Sequence, residues 1–270
     1  MCYCYHPLVS GKKTVDMVSN AIELNNIYFS YRTPRKVEFF EGFPLPIKRV
    51  VNNPKLVLKD INLNIETNKT TALLGRNGSG KTTLIKLITG TRMPQSGTVR
   101  VFGTNPLDAR NKIGVCLGGS LIYYRLTARE NLQYFARLYG LENPTSKIRE
   151  LAERLELDDV MDDIVESYSF GMKAKLAIAR SLIHDPKLLI LDEPTLGIDI
   201  RLATELRKFI KNIDCTVLLT THYMDEAQEL ADNLCVIEHG EICASGSKEE
   251  VLAKYETSRV SEAFLKATGT

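Results

Sequence analysis

Apolar residues recur along this chain of 270 residues with two periods, and the switches between them mark its organisation. Residues 22 to 31, "IELNNIYFSY", and 56 to 66, "LVLKDINLNIE", alternate with a period of two. Each predicts a half-buried strand, and together they predict an antiparallel edge. Between them, residues 32 to 55 are rich in proline, aromatic and basic side chains and too long for a hairpin turn. That stretch reads as an excursion packed on its own domain, with a docking surface for a partner or for lipid headgroups as the second reading. From Thr70 the order becomes strand "TTALLG", glycine loop "RNGSGK" and helix "TTLIKLITG", followed by the strand "GTVRVFG". Residues from about 127 to 164 switch to the helical period, with Leu132, Phe135, Leu138 and Tyr139 on one stripe and Ile148, Leu151, Leu155 and Leu157 on another. A separate helical lobe over about 120–180 follows.

Beyond it, "MKAKLAIARSLI" predicts an amphipathic helix, while "KLLILDEP" and "TVLLTTH" are short continuous apolar runs, as in parallel strands buried on both faces. "NLCVIEHGEICASG" predicts a hairpin and "SKEEVLAKY" a closing helix. One domain over 22–255 results, with 1–21 as an N-terminal extension and 256–270, which carries no strong signal, as a C-terminal tail.

Composition narrows the class. A chain with 44% hydrophobic and 25% charged residues is an ordinary globular one, and a net charge of +2 gives no nucleic-acid surface. No window holds the roughly 18 apolar residues of a spanning helix, and "MCYCYHPLVSGKK" lacks the order of a secretory signal. The chain is therefore expected in the cytosol, with any membrane contact local or through a partner. Six cysteines at 2, 4, 116, 215, 235 and 243 form no C-x-x-C pair, and four lie in apolar runs, which predicts reduced core thiols. "CYCYH" crowds three metal donors into a terminus, a weak metal candidate.

The chemistry begins at Gly75. Gly75, Arg76, Asn77, Gly78, Ser79, Gly80, Lys81 and Thr82 fit G-x-x-x-x-G-K-[ST] between a strand and a helix. Glycines let backbone N–H groups turn inward around phosphates, and the helix N-terminus adds partial positive charge. Lys81 is expected to reach the β and γ phosphates, Thr82 to ligate magnesium and Thr83 to add a hydroxyl to the α phosphate. ATP or GTP binding follows. Asp192 and Glu193 stand at the carboxyl end of an apolar run, where open parallel sheets bind ligands. Asp192 is then placed to hold magnesium, directly or through water, and Glu193 to accept a proton from attacking water. His222 ends the next run; it is either an ordinary strand terminus or a donor that senses the γ phosphate. Strand order, which decides whether it stands beside Asp192, is not readable here.

"GRNGSGKTT", "YSFGMKAKLAIARSL", "LLILDEPTLGID" and "LLTTHYMDEAQELAD" together resemble the nucleotide-binding subunit of an ABC transporter, in the family's order and from about Ile22 to Tyr255. The resemblance implies an α/β fold: a P-loop NTPase cassette with a RecA-like parallel-sheet core, an antiparallel β subdomain and a helical subdomain. It implies ATP and Mg2+ as ligands and ATP hydrolysis coupled to transport. Carried over by residue, Tyr31 stacks on adenine, Ser169 and Gly171 of the signature segment "YSFGM" contact the γ phosphate, Asp199 lies in the loop crossing a dimer interface, and Glu193 and His222 are general base and γ-phosphate switch. Phe170 replaces the family's usual first glycine. The implied assembly is two such subunits, a homodimer or a pair with a homologue, closing head to tail around two nucleotides. An integral membrane subunit on the cytoplasmic face of the cell membrane completes it. "RLTARENLQYFARLYGL" looks most like exporters of antibiotics, bacteriocins, lipids or polysaccharides. A soluble ABC ATPase on ribosomes or DNA is the alternative, against which stand the single cassette and near-neutral charge; a P-loop kinase has no reason to carry the signature segment.

Where the family carries a glutamine that reaches magnesium and whose loop contacts the membrane subunit, this chain has Gly118, followed by Gly119. Water is expected to replace that ligand. The glycines read as a tight turn, or as a hinge feeding a helix that Thr127 and Glu130 start with a capping box.

Overall fold

In the computed structural model, residues 19–39, 48–117 and 121–269 are described. Strands β1 (Asn20–Phe39), β2 (Lys48–Glu66), β3 (Thr70–Leu74), β4 (Ser96–Val101), β5 (Ile113–Leu117), β6 (Leu188–Asp192), β7 (Thr216–Thr221), β8 (Asn233–Glu238) and β9 (Glu241–Ser247) form two sheets. Helices α1 (Lys81–Ile88), α2 (Ala128–Leu138), α3 (Thr145–Leu155), α4 (Phe170–Leu182), α5 (Ile200–Lys211), α6 (Met224–Leu230), α7 (Lys248–Lys254) and α8 (Val260–Thr268) pack around them.

The antiparallel sheet has the order β2-β1-β4, and the larger sheet β5-β6-β7-β3-β8-β9. In the latter, β5 to β8 are mutually parallel across their shared edges and β9 closes antiparallel on β8. The run "VLLTT" of β7 is buried at every position, as a strand covered on both faces must be. Three apolar clusters divide the interior. One joins α2, α3 and α4 to one face of the parallel sheet, a second lies between the antiparallel sheet, α1 and the other face, and a third gathers α6, α7 and α8 on β3 and β8. Helices α2, α3 and α4 fall where the lobe was expected; Ile148, Leu151, Leu155 and Leu157 of the second stripe are buried, but of the first stripe Leu132 is buried and Phe135 partly so, whereas Leu138 and Tyr139 are exposed at the end of α2. Thr127 and Glu130 form the capping box of α2.

Two boundaries differ from the sequence reading. Residues 260–268, within the segment read as a tail, form α8, whose Val260, Ala263 and Phe264 are buried at i, i+3 and i+4. One helical turn of apolar residues is too short to register as a period; the helix exists because the sheet supplies the surface it covers. β1 and β2 also run past Tyr31 and Leu56, pairing from Arg32↔Pro54 to Phe39↔Lys48, so part of the 32–55 stretch prolongs the hairpin. The N-terminal extension through residue 18, with Cys2 and Cys4, the segment 40–47, and Gly118 with Gly119 lie outside the described residues. Cys116 and Cys235 are buried and Cys215 and Cys243 half-buried, all as thiols. Burial pushes Cys215 up to about 11 and Cys235 up to about 12.

Candidate nucleotide site

The glycine loop leaves the carboxyl end of β3 in the middle of the parallel sheet. Gly75 has no space for a side chain: a Cβ there would lie 2.4 Å from both the Ile237 carbonyl oxygen and Ser79 Oγ. Gly80 caps α1 with φ 120, a conformation that L side chains rarely adopt. No side chain caps this helix and its first turn carries no acid, so its N-terminal N–H groups point out with their partial positive charge uncompensated. Ser79 Oγ is buried with no hydrogen-bond partner among the described residues. A buried hydroxyl in that position gains from an anion that accepts its proton.

Lys81, 7% exposed, donates from Nζ to the carbonyls of Gly75 at 2.6 Å and Arg76 at 3.3 Å and stands 3.8 Å from Glu193 Oε1. A cavity of about 840 Å³ opens here. Asn77, Gly78, Thr82, Asp192 and Glu193 are among the residues lining it, and Tyr31 stands at one side with its hydroxyl 3.4 Å from Thr83 Oγ1. The Tyr31 ring meets Phe29 edge-on at 4.9 Å, which fixes its plane.

Strand order answers the open question about His222. β6 and β7 are neighbours, with Asp192 opposite Thr220, so the two carboxylates and the histidine come from adjacent strand ends. His222 Nδ1 is 2.7 Å from Glu193 Oε2. Glu193 itself takes φ 51, an uncommon conformation for a non-glycine residue and one that clusters at functional sites. Thr220 holds this geometry: its hydroxyl donates to Asp192 Oδ1 at 2.5 Å and accepts from the Glu193 N–H at 3.2 Å. Sequence reasoning passed over Thr220, and the signal for it was there, because a hydroxyl in a fully buried apolar strand needs a polar neighbour. Thr82 and Asp192 offer a hydroxyl and a carboxylate, hard oxygen donors of the kind magnesium takes beside water and phosphate, so the residues present fit that ion.

Ser169, Gly171 and Asp199 are not among the residues lining the cavity. Ser169 caps α4, its Oγ accepting the Met172 N–H at 3.2 Å, and Asp199 caps α5, accepting the Leu202 N–H at 3.0 Å. Gly171 packs so tightly on Leu202 that a Cβ would lie within 1.7 Å of Leu202 Cδ2. The three belong to one surface, where α4 meets the start of α5, apart from their own P-loop.

A P-loop at a central parallel strand, with two acids and a histidine on the neighbouring strand ends, defines a P-loop nucleotide-binding protein of the α/β class. The chain belongs to the ABC transporter family, whose pattern matches residues 58–196, and it is an ATP-binding, ATP-hydrolysing subunit coupled to transport. The ABC transporter ATP-binding protein NatA of Bacillus subtilis (strain 168) is 39% identical over 224 residues, covering 78% of this chain and 90% of its own. Nod factor export ATP-binding protein I of Rhizobium sp. (strain N33) is 37% identical, covering 78% and 72%, and linearmycin resistance ATP-binding protein LnrL of Bacillus subtilis (strain 168) is 34% identical, covering 79% and 74%. The solved structure of an ATP-binding subunit of an ABC transporter has the same fold, with a TM-score of 0.75 at 23% identity over 92% of this chain and 99% of its own. That of CbiO1 from Clostridium perfringens, part of the ABC transporter complex cbiONQ, gives 0.71 at 25% identity over 88% and 92%. No helix among the described residues is long and apolar enough to cross a membrane.

Proposed function

We propose that this chain powers export through a separate integral membrane subunit, working at the cytoplasmic face of the cell membrane as one of two ATPase subunits, most simply a homodimer. Relatives named for Nod factor export and linearmycin resistance support the export reading. The observation that carries the mechanism is the contact of His222 with Glu193, and of Glu193 with Lys81, at the mouth of the P-loop.

Phosphates enter among the backbone N–H groups at Gly75, Asn77, Gly78, Ser79 and Gly80, where Lys81 exchanges carbonyl partners for β and γ oxygens. Tyr31 offers its ring to adenine, and Thr83 its hydroxyl to the α phosphate. Thr82 and Asp192 would hold Mg2+, which supplies neutralisation of charge between the β and γ phosphates. Glu193 takes the proton of the attacking water, and His222 holds the Glu193 carboxylate and the γ-phosphate oxygens in line with it. Ser169 and Gly171 serve the γ phosphate of the opposite subunit, and Asp199 lies in the loop that crosses between them. ATP then closes the pair and hydrolysis opens it.

Purification of the intact complex from detergent-solubilised membranes, with every chain identified by mass spectrometry, tests the assembly. An integral membrane chain and a second ATPase chain are expected; a complex lacking the membrane chain overturns the export reading.

A further inference from the structure

One buried acid near the catalytic residues has no role in the steps above. Glu226, in the first turn of α6, is 1% exposed. Its Oε1 accepts a hydrogen bond at 3.0 Å from Thr195 Oγ1, itself 6% exposed, while Oε2 has no hydrogen-bond partner among the described residues. Thr195 lies two residues after Glu193 and four before Asp199, inside the turn where Leu196 N–H bonds Glu193 O and Ile198 N–H bonds Thr195 O. On the other side, α6 starts directly after His222 and Tyr223, and Thr221 fixes the Tyr223 N–H at 2.9 Å.

Burying a carboxyl is costly, and an apolar residue would cover the same sheet without that penalty. Burial pushes the Glu226 carboxyl above its ordinary range, the Thr221 and Thr195 hydroxyls and then Arg207 pull it back, and the Glu193 charge adds to the upward push. The group is thus held among the segments that carry the reaction, bonded to the turn that follows Glu193 and placed on the helix that follows His222.

We propose that Glu226 is a positioning residue for hydrolysis, clamping the turn between Glu193 and Asp199 through Thr195 onto the segment that bears His222. The clamp makes the base, its histidine and the cross-subunit loop one rigid unit. Without it the turn at Glu193, held at φ 51, relaxes away from the histidine. This inference rests on the proposed roles of Glu193 and His222.

The test is a double-mutant cycle on the full chain, with Thr195→Val, Glu226→Ala and the pair, reading steady-state turnover and, by equilibrium titration, ATP and ADP affinity. Each single change is expected to lower kcat about tenfold and leave both affinities within about twofold, because a small misplacement of the base affects the chemical step rather than the P-loop. The double variant is expected to lose no more than the worse single one. Glu226→Gln, which keeps an oxygen for the Thr195 hydroxyl, is expected to recover most of the turnover. Thr195→Val barely alters shape, so it reads the clamp even where Glu226→Ala does not fold. Wild-type turnover in Thr195→Val, losses that multiply in the double variant, or a parallel fall in ATP affinity would overturn the clamp. Wild-type turnover in Glu193→Gln would instead overturn the base assignment, and so the two failures are told apart.

Discussion

Two helices of this chain begin at segments proposed to meet phosphate, the P-loop and the signature segment, and their first turns are finished in opposite ways. α1 starts at Gly80 with φ 120 and no side-chain cap, beside a buried Ser79 hydroxyl with no partner among the described residues. α4 starts at Ser169, whose own hydroxyl caps the Met172 N–H in an extended conformation. The first N-terminus is incomplete within the fold and gains most from an anion bound in the same chain. The second has one of its N–H groups satisfied within the fold, the Ser169 oxygen accepting the Met172 N–H while its own O–H stays available to donate. An unfinished helix end leaves donors that an anion can satisfy, whereas at a capped one part of that demand is already met within the fold.

The sharpest break of this contrast comes from the base. Glu193→Gln is expected to lose on the order of 1,000-fold in turnover while keeping ATP binding, the scale of general-base removal, and to accumulate a nucleotide-bound dimer visible by size-exclusion chromatography. Turnover at the wild-type rate would remove Glu193 from the chemistry. Next in size, Lys81→Ala takes away a charge-assisted contact worth roughly 2–3 kcal/mol, so ATP affinity is expected to fall on the order of 100-fold in an equilibrium titration. Unchanged binding would mean that the open helix end holds the phosphates alone.

Gly80→Ala puts a Cβ 2.8 Å from Leu58 Cδ2 at a strained φ, a cost of about 1–3 kcal/mol that is expected to appear as weaker ATP binding and a lower melting temperature together. A fully stable variant with normal affinity would show that the open turn tolerates a side chain. The smallest expected effect is that of Ser169→Ala. Loss of the cap costs about 1 kcal/mol in urea unfolding, and ATP affinity of the isolated chain should stay unchanged while turnover of the assembled complex falls. A fall in affinity of the isolated chain would place Ser169 in its own subunit's site and end the comparison.

Most of the site was legible because its parts are short and local. Gly75 to Thr83 is one short stretch of loop and helix, and its spacing alone places Gly78, Gly80, Lys81 and Thr82 around one cavity. Asp192, Glu193 and His222 were recognisable as strand ends from the apolar runs before them. Thr220 could be marked as a buried hydroxyl by its apolar strand but not matched to Asp192, 28 residues away, while Thr195 and Glu226, 31 residues apart, carry no mark of burial in the sequence. α8 escaped for a related reason: its three apolar positions acquire meaning only against α6 and β8.

The sequence by itself determined the periods that make the strands and helices, the P-loop, and the acids that follow a buried strand, because these depend on neighbours within a few residues. Only the tertiary structure decided that β6 lies beside β7, which brings His222 to 2.7 Å from Glu193. It alone also separated Ser169, Gly171 and Asp199 from their own cavity. Strand order and helix docking are chosen by the burial of whole faces against one another, and that free energy belongs to pairs of distant segments rather than to any stretch of chain.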